Sequence, residues 1–258
     1  MATPPNTLPT AKSDPVQCDA IVVGAGFSGL YQLHKLRDEL GLNVRVLEKG
    51  SGIGGTWFWN RYPGARCDSE SYYYCYSFNK EIEQEWTWSE RYPEHTEIRK
   101  YLNFVADRLD LKRDIQLDTE VTSAAFDDAS NVWTVQTRSG QTFVAQFLIT
   151  AVGCLSTANV PNFKGLDRFK GRWYHTGDWP PEGIDFTGKR VGQIGTGSTG
   201  IQAAPMLAEL AEHLTVFQRT ARGRSHPGEL RRHLAPSPCR CQRPSFQHVG
   251  PVGKLRVR

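Results

Sequence analysis

The sequence predicts an α/β fold with two Rossmann-like dinucleotide-binding domains, the second of them incomplete. A pattern of strand, glycine turn, helix and strand occurs twice, with GAGFSG at 24–29 and GTGSTG at 195–200. Between the two copies, three short strand-like runs separated by polar turns predict an antiparallel β-meander insert. Only one β-α-β unit of the second domain precedes a change of composition near residue 221.

The first domain is expected over residues 18–153. Its opening strand is the short apolar run 18–23, which is typical of a buried parallel strand. Leucines at helical spacing after the glycine turn predict an amphipathic helix, and the run 43–50 predicts the next strand. These leucines are Leu30, Leu33, Leu36 and Leu40.

The rest of the first domain combines a loop, a helix and further strands. Residues 51–80 are dense in glycine and aromatic residues without a clear period, which indicates a structured loop. One apolar stripe predicts a helix over 95–111. The stripe consists of Ile98, Leu102, Val105 and Leu109, and the meander strands are expected at 121–127, 131–138 and 142–147, followed by a buried strand at 147–153.

Residues 154–188 are rich in proline and loop-forming residues, which predicts a linker between the domains. The segment 189–200 then repeats the opening pattern of strand and glycine turn. A helix is expected over 202–213 and a strand over 214–219. The second domain is thus represented by its first β-α-β unit, over 189–220.

The glycines of each turn have distinct physical tasks. The first permits the tight turn, the second lets the backbone approach a pyrophosphate, and the third lets helix and strand pack closely. The helix N-terminus adds free N–H groups and a positive dipole for the phosphates. These residues are Gly24, Gly26 and Gly29 in the first copy and Gly195, Gly197 and Gly200 in the second.

The residue at the end of the second strand of each β-α-β unit distinguishes the nucleotides that the two sites are expected to bind. Glu48 lies 24 residues after Gly24, and Arg219 lies 24 residues after Gly195. A carboxylate accepts hydrogen bonds from both ribose hydroxyls and repels a 2′-phosphate, whereas an arginine pairs with that phosphate. We therefore expect one FAD site and one NADP site, with electrons passing from NADPH to the flavin.

Composition excludes several classes of protein. With 39% apolar and 22% charged residues the chain is typical of globular proteins, and no apolar run approaches the roughly 18 residues of a membrane span. Residues 1–17 are expected to be a disordered leader without the features of a secretion signal. Six cysteines without a CxxC pair indicate neither a disulfide framework nor a metal site, and a cytoplasmic location is expected.

The segment 221–258 differs in charge from the remainder. It holds nine Lys+Arg and one acid, whereas residues 1–220 hold 22 Lys+Arg and 26 acids. We expect this tail to be disordered or out of frame, because an unselected frame of a GC-rich gene gives such a composition. The alternatives are a basic appendage for nucleic acid or membranes, although Phe246 is its only aromatic residue, and a soft-metal pair at Cys239 and Cys241. Neither nucleic acid nor membrane is expected as a partner.

The segment 169–180, FKGRWYHTGDWP, has the spacing F-x-G-x-x-x-H-x-x-x-W-P and lies between the two glycine motifs. It resembles the fingerprint of the Baeyer–Villiger monooxygenases, which are class B flavoprotein monooxygenases. The segment 54–71 resembles the part of these enzymes that lines the flavin, and the likeness runs from about residue 18 to 220. The alternative is a flavin-containing N- or S-monooxygenase, whose related fingerprint does not end in Trp-Pro.

This resemblance implies an NADPH-dependent enzyme of the FAD/NAD(P)-binding flavoprotein type. Its flavin would take up O2 as a C4a-peroxyflavin, which attacks a small ketone and gives an ester or lactone. Asp68 matches the aspartate that positions an arginine beside the peroxide, and a partly buried ion pair with Arg66 is expected here; the alternative is a loop cap. His175 is assigned to coupling domain movement to cofactor binding, or else to a structural role.

The cofactor-binding residues implied by the motifs and the resemblance fall into two sets. The FAD set is Gly24, Gly26, Phe27, Ser28, Gly29, Glu48, Lys49, Gly55, Thr56, Trp57, Asp68, Tyr74 and Val121. The NADP set is Gly195, Thr196, Gly197, Ser198, Thr199, Gly200, Arg219 and Thr220. Thr196 and Ser198 are expected to contact the pyrophosphate, and Thr220 is expected to support Arg219.

The resemblance ends after VFQRTA at 216–221, although members of the family are much longer. The part without a counterpart here would contain the remaining NADP domain, the substrate pocket and the arginine that Asp68 serves. We therefore expect an impaired or inactive fragment of a monooxygenase. A non-catalytic FAD-binding remnant is the further alternative.

Overall fold

A computed structural model describes residues 14–219 and divides the chain into two units, 1–184 and 185–258. The division falls inside the predicted linker, so that residues 185–188 belong to the second unit. The predicted tail and residues 1–13 lie outside the described residues.

The first unit is built on one six-stranded sheet with the strand order β3-β2-β1-β6-β5-β4. Its strands are β1 (Val16–Val23), β2 (Val44–Leu47), β3 (Ile115–Gln116), β4 (Val121–Asp127), β5 (Val132–Thr137) and β6 (Thr142–Thr150). Its helices are α1 (Phe27–His34), continued by a π-turn (Lys35–Glu39), α2 (Thr56–Trp59), α3 (Lys80–Glu85) and α4 (His95–Arg108). The strands β3, β2, β1 and β6 run parallel, whereas β4 and β5 form an antiparallel meander with β6.

Two predictions about the strands of this sheet are wrong. The expected strands at 142–147 and 147–153 are one continuous strand, β6, because no turn residue interrupts it and its first half pairs with both β1 and β5. The leader was expected to reach residue 17, but Val16 and Gln17 already belong to β1, opposite Phe143 and Val144.

The core lies on both faces of this sheet. On one face α1 and α4 bury their apolar stripes, including Leu30, Leu33, Ile98, Leu102 and Val105, against β1 and β2. On the other face lies a smaller cluster formed by Ile21, Leu47, Val135, Phe143 and Ala145.

Helix α4 ends at Arg108, three residues before its predicted end. The guanidinium of Arg37 on the π-turn donates there to the carbonyls of Leu109 and Asp110. The segment 51–80, which is predicted to be a loop, contains the short helix α2 and the first residue of α3.

Between residues 185 and 219, the described part of the second unit, the chain forms one β-α-β motif. It contains β7 (Arg190–Ile194), α5 (Ser198–Leu210) and β8 (His213–Phe217), with the two strands parallel. Helix α5 begins four residues before its predicted start, directly after Gly197, and contains Pro205. The predicted α/β class is confirmed. In the described part of the chain, no helix combines the length and the apolar character that a membrane crossing requires.

Candidate cofactor site

The first glycine turn joins β1 to α1 in a geometry that side chains cannot occupy. Gly24 has φ 105°, and its N–H donates to the carbonyl of Leu47 at 2.8 Å. A Cβ at Gly24 would lie 2.6 Å from the carbonyl oxygen of Ala151, and one at Gly29 would lie 1.8 Å from that of Gly24. The first and third glycines therefore close the turn, as the spacing predicts.

The N-terminus of α1 offers free donors. Its N-cap is Gly26, and no side chain caps the first N–H groups, which include those of Ser28 and Gly29. A Cβ at Gly26 would lie 3.2 Å from Cα of Gly55, and one at Gly55 would lie 2.8 Å from Cα of Gly26. The backbones of Gly26 and Gly55 thus lie in contact beside the start of α1. The uncapped N–H groups of this helix form a donor set that fits the pyrophosphate of a dinucleotide.

Glu48 connects the end of β2 to this turn. Its side chain is buried, with Oε2 accepting from the N–H of Ala25 and Oε1 from the N–H of Gly50, both at 2.7 Å. Each oxygen keeps a further lone pair, so the carboxylate still fits the two ribose hydroxyls. The neighbouring Lys49 is exposed and pairs with Glu120 at 3.2 Å. Val121, at the start of β4, is half-buried.

Aromatic residues surround the start of α1. The Nε1 of Trp57, a buried residue on α2, donates to the hydroxyl of Tyr74 at 3.1 Å. The ring of Phe27 meets that of Tyr74 edge to face at 4.9 Å, and the hydroxyl of Tyr76 donates to the carbonyl of Phe27. Burial raises the pKa of the Tyr74 hydroxyl, which keeps it protonated. The structure thus brings together the predicted residues Phe27, Trp57 and Tyr74, while Thr56 begins α2 beside them.

Asp68 and Arg66, two candidate catalytic residues, lie on the loop between α2 and α3, and the burial of Asp68 differs from the expectation. Asp68 is exposed rather than partly buried, because it follows the buried Cys67 at a bend of the surface loop. The guanidinium of Arg66 pairs with Glu90 at 3.2 Å and with Glu94 at 3.0 Å, carboxylates on a neighbouring loop that the sequence pattern does not connect with it. The predicted pairing of Arg66 with Asp68 stays a prediction.

His175 lies in the fingerprint segment as a local cap. Its Nδ1 accepts from the N–H of Gly177 at 3.1 Å, at the start of the short turn Thr176–Asp178. This contact favours the structural alternative for His175, and its proposed role in domain movement stays a prediction.

The second glycine turn reproduces the first. Gly195 has φ 107°, and a Cβ at Gly200 would lie 2.5 Å from the carbonyl oxygen of Gly195. Gly197 is the N-cap of α5, and no side chain forms a hydrogen bond to this helix end. A Cβ added at Gly197 would have no atom within 4 Å. Thr196, Ser198 and Thr199 line this N-terminus, and their donors suit the pyrophosphate of a second dinucleotide.

The two copies differ by one residue in register. The N–H of Gly24 donates to Leu47, whereas that of Gly195 donates to Phe217, and Phe217 is 22 rather than 23 residues from its glycine. Gln218 therefore occupies the position of Glu48, and the exposed Arg219 lies one residue further on, in the position of Lys49. The predicted correspondence of Glu48 with Arg219 is wrong by one position, because the connection after the second glycine turn is shorter. Thr220 lies outside the described residues.

One residue of the site was missed in the sequence. The ring of Phe58 fills the concave side of the loop after Glu48, since a Cβ at Gly50 or Gly52 would lie 2.8 or 2.9 Å from its ring atoms. The alternation of glycines at 50, 52 and 54 is the signal that an aromatic ring lies against this loop.

A family model described as flavin-binding monooxygenase-like matches residues 18–225, most of the chain. The chain belongs to this family. The match extends a few residues beyond the predicted limit at 220. The description of the family names flavin, so the predicted use of a flavin cofactor is confirmed for the family. Within residues 14–219, no group of three or more His, Cys, Asp or Glu side chains is placed to hold a metal ion.

Several characterised members of the flavin-binding monooxygenase-like family resemble this chain. A Baeyer–Villiger monooxygenase of Pseudooceanicola batsensis is 56% identical over 203 residues, which are 79% of this chain and 37% of that protein. A phenazine N-monooxygenase of Lysobacter antibioticus is 52% identical over 209 residues, 81% of this chain and 38% of that protein. A solved steroid monooxygenase, described as oxidized and bound to NADP, is 58% identical with a TM-score of 0.75, over 80% of this chain and 39% of that one.

These comparisons confirm the resemblance and the use of flavin and NADP in the family. The resemblance covers only part of each relative, because the chain spans less than two fifths of the length of these proteins.

Proposed function

We propose that this chain carries the FAD-binding domain and the first NADP-binding unit of an NADPH-dependent Baeyer–Villiger monooxygenase. The observation that carries the proposal is the pair of uncapped glycine turns, one beside the buried carboxylate of Glu48 and the other followed by the exposed Arg219. The fingerprint between them and the relatives described above support the same assignment.

The residues of the chain have separate tasks in this proposal. The N–H groups at the start of α1 would bind the FAD pyrophosphate, and the Glu48 carboxylate would accept from the ribose. The start of α5 would bind the NADP pyrophosphate, and Arg219 would pair with its 2′-phosphate. When bound, the flavin would supply reduction of O2 and transfer of one oxygen atom to the substrate.

Asp68 lies exposed on the surface loop of the first unit. We infer that it would hold and orient an arginine supplied by the part of the relatives for which this chain has no counterpart. The 258-residue chain by itself would then bind and reduce flavin without oxygenating a ketone. Trp57 and Tyr74, which bond to each other, would form a wall that limits water near the flavin.

The visible spectrum of the purified chain, before and after anaerobic addition of NADPH, tests this proposal. Bound flavin that is bleached by NADPH is expected if both nucleotide sites assemble. Bound flavin that NADPH leaves oxidised would restrict the chain to FAD binding, and a colourless protein would contradict the FAD assignment.

Oxygenation of a nitrogen atom is a second candidate for the complete protein, because a relative named as an N-monooxygenase is almost as similar as one named as a Baeyer–Villiger enzyme. A full-length version, incubated with a cyclic ketone and with a tertiary amine, separates the two. We expect oxygenation of the ketone, and oxygenation of the amine alone would favour the second candidate.

A further inference from the structure

Two arginines from different segments lie against the ring of Phe58. The guanidinium carbon of Arg61, from the loop after α2, is 4.7 Å from the ring centroid, and that of Arg99, from the first turns of α4, is 5.9 Å from it. Arg61 also donates to the carbonyl of Phe58. The charge of Arg99 lowers the pKa of Arg61, so the two guanidinium groups are close enough to repel each other.

These two arginines differ from the others in the same region. Between residues 14 and 150 every other arginine forms an ion pair with a carboxylate. The paired arginines are Arg37, Arg45, Arg66, Arg91, Arg108, Arg113 and Arg138. Within the described residues neither Arg61 nor Arg99 has such a partner, so two guanidinium charges stand together without a counter-anion.

His95 adds an unpartnered polar atom to the same place. It begins α4, one turn before Arg99, and its Nδ1 is buried without a hydrogen-bond partner in the described structure. Burial lowers the pKa of His95, and the charges of Arg99 and Arg61 lower it further, while a hydrogen bond to the backbone of Trp57 and the charge of Glu94 act in the opposite direction. Burial and Arg99 also lower the pKa of Arg61. A negative ligand beside the two guanidinium groups would offset their mutual repulsion.

The nearby acids are engaged elsewhere. Glu94 pairs with Arg66, and Glu97 accepts from both the N–H and the hydroxyl of Ser89. Glu94 is also the N-cap of α4, where no side chain caps the helix, so the positive end of its dipole adds to the field.

We propose that Arg61, Arg99 and His95 form a binding site for a phosphate-type oxyanion. Guanidinium forks bind such oxygens in bidentate fashion, and the charge of a bound anion would favour protonation of His95, whose Nδ1 then supplies one further donor. The site adjoins the predicted FAD cradle, because a Cβ at Gly54 would lie 3.2 Å from Cγ of Arg99, and Gly55 is the next residue. The anion is either the diphosphate of FAD or a free ion such as inorganic phosphate.

Sulfate is a suitable probe, because its charge does not change near neutral pH. Its binding to the flavin-free 258-residue chain is measured by calorimetry in a chloride buffer, for the wild type and for Arg61→Gln and Arg99→Gln. Each substitution is expected to weaken binding about tenfold, the loss of roughly one charge-assisted contact. Lys100→Gln is the matched control, since it removes a neighbouring exposed cation of α4, and it should leave the affinity nearly unchanged.

A second titration with FAD, with and without saturating sulfate, identifies the source of the anion. Competition, with weaker FAD binding in both arginine variants, assigns the site to the FAD diphosphate. Independent binding, with FAD affinity unchanged in the variants, assigns it to a free anion. The proposal is overturned if the variants bind both sulfate and FAD as the wild type does, or if Lys100→Gln lowers sulfate affinity equally.

Two checks distinguish the loss of an anion site from misfolding of a variant and from a general loss of positive charge. Circular dichroism establishes that each variant is folded, and Arg99→Lys, which keeps the charge but not the planar fork, should lose several-fold in sulfate affinity. Equal affinity of Arg99→Lys and the wild type would contradict a site built on guanidinium groups. Because sulfate binding requires neither NADPH nor oxygenation, the outcome does not depend on the proposed monooxygenase function.

Discussion

Replacing Glu48 with glutamine tests the connection between the end of β2 and the first glycine turn. The carboxylate accepts two buried backbone N–H groups, those of Ala25 and Gly50, at 2.7 Å each. Glutamine has nearly the same shape, but its amide oxygen can accept only one of these, and its NH2 group faces the other donor. One buried N–H then loses its partner at a cost of about 1–3 kcal/mol, and the remaining bond loses its ionic contribution, about 1 kcal/mol.

We therefore expect Glu48→Gln to lower the free energy of unfolding by about 2–4 kcal/mol. Urea denaturation followed by circular dichroism measures this as a lower midpoint at an unchanged slope. The retained flavin should fall as well, because the amide no longer accepts from both ribose hydroxyls. Glu120→Gln is the control, since it neutralises a half-buried carboxylate that pairs with Lys49 and Arg138 rather than with buried backbone N–H groups, and it should change the midpoint much less. Equal midpoints for the wild type and Glu48→Gln would refute this account of the turn.

Three further substitutions or measurements address other sites. Arg219→Ala should weaken NADPH binding at least about tenfold while leaving NADH binding nearly unchanged, and equal losses would contradict the 2′-phosphate assignment. Gly26→Val should abolish FAD retention because the backbone of Gly55 lies against it, whereas Gly197→Val, with open space around an added Cβ, should leave the flavin content intact; equal flavin contents would contradict this difference. Burial raises the pKa of Cys18 from 9.0 to about 11, so its thiol stabilises the fold below pH 9 and this contribution is lost as the pH rises towards 11. At pH 8 the exposed Cys154 should react with a thiol reagent much faster than Cys18, and equal rates would refute the burial of Cys18.

The sequence is sufficient for the parts of the fold that depend on local chemistry. Glycines at fixed spacing, an apolar run before them and a leucine stripe after them are enough to predict both β-α-β units. The acid at residue 48 follows from the same reasoning, because its position depends only on the length of one helix and one strand. Both features are local in the chain, and both are present in the structure.

The features that the sequence does not predict depend on contacts distant in the sequence. Arg66 is drawn to Glu90 and Glu94, which are more than 20 residues away, and no spacing rule connects these positions. Strand β6 is a single strand because two different neighbours pair with it, which its own sequence does not reveal. The exposure of Asp68 likewise depends on how the loop around it lies against the helices.

The register of the two glycine turns explains how nucleotide preference can change within one architecture. In the first copy the backbone hydrogen bond to Leu47 puts Glu48 next along the chain, where its carboxylate reaches back to the turn. In the second copy the same bond goes to Phe217, so Gln218 follows and brings no negative charge towards the turn. Removing the carboxylate eliminates the repulsion of a 2′-phosphate, and Arg219, one residue later, adds an attraction. We therefore propose that preference for NADP in this unit rests on two adjacent residues, Gln218 and Arg219. A comparison of spacing alone, which aligns Arg219 with Glu48, finds only the second of them.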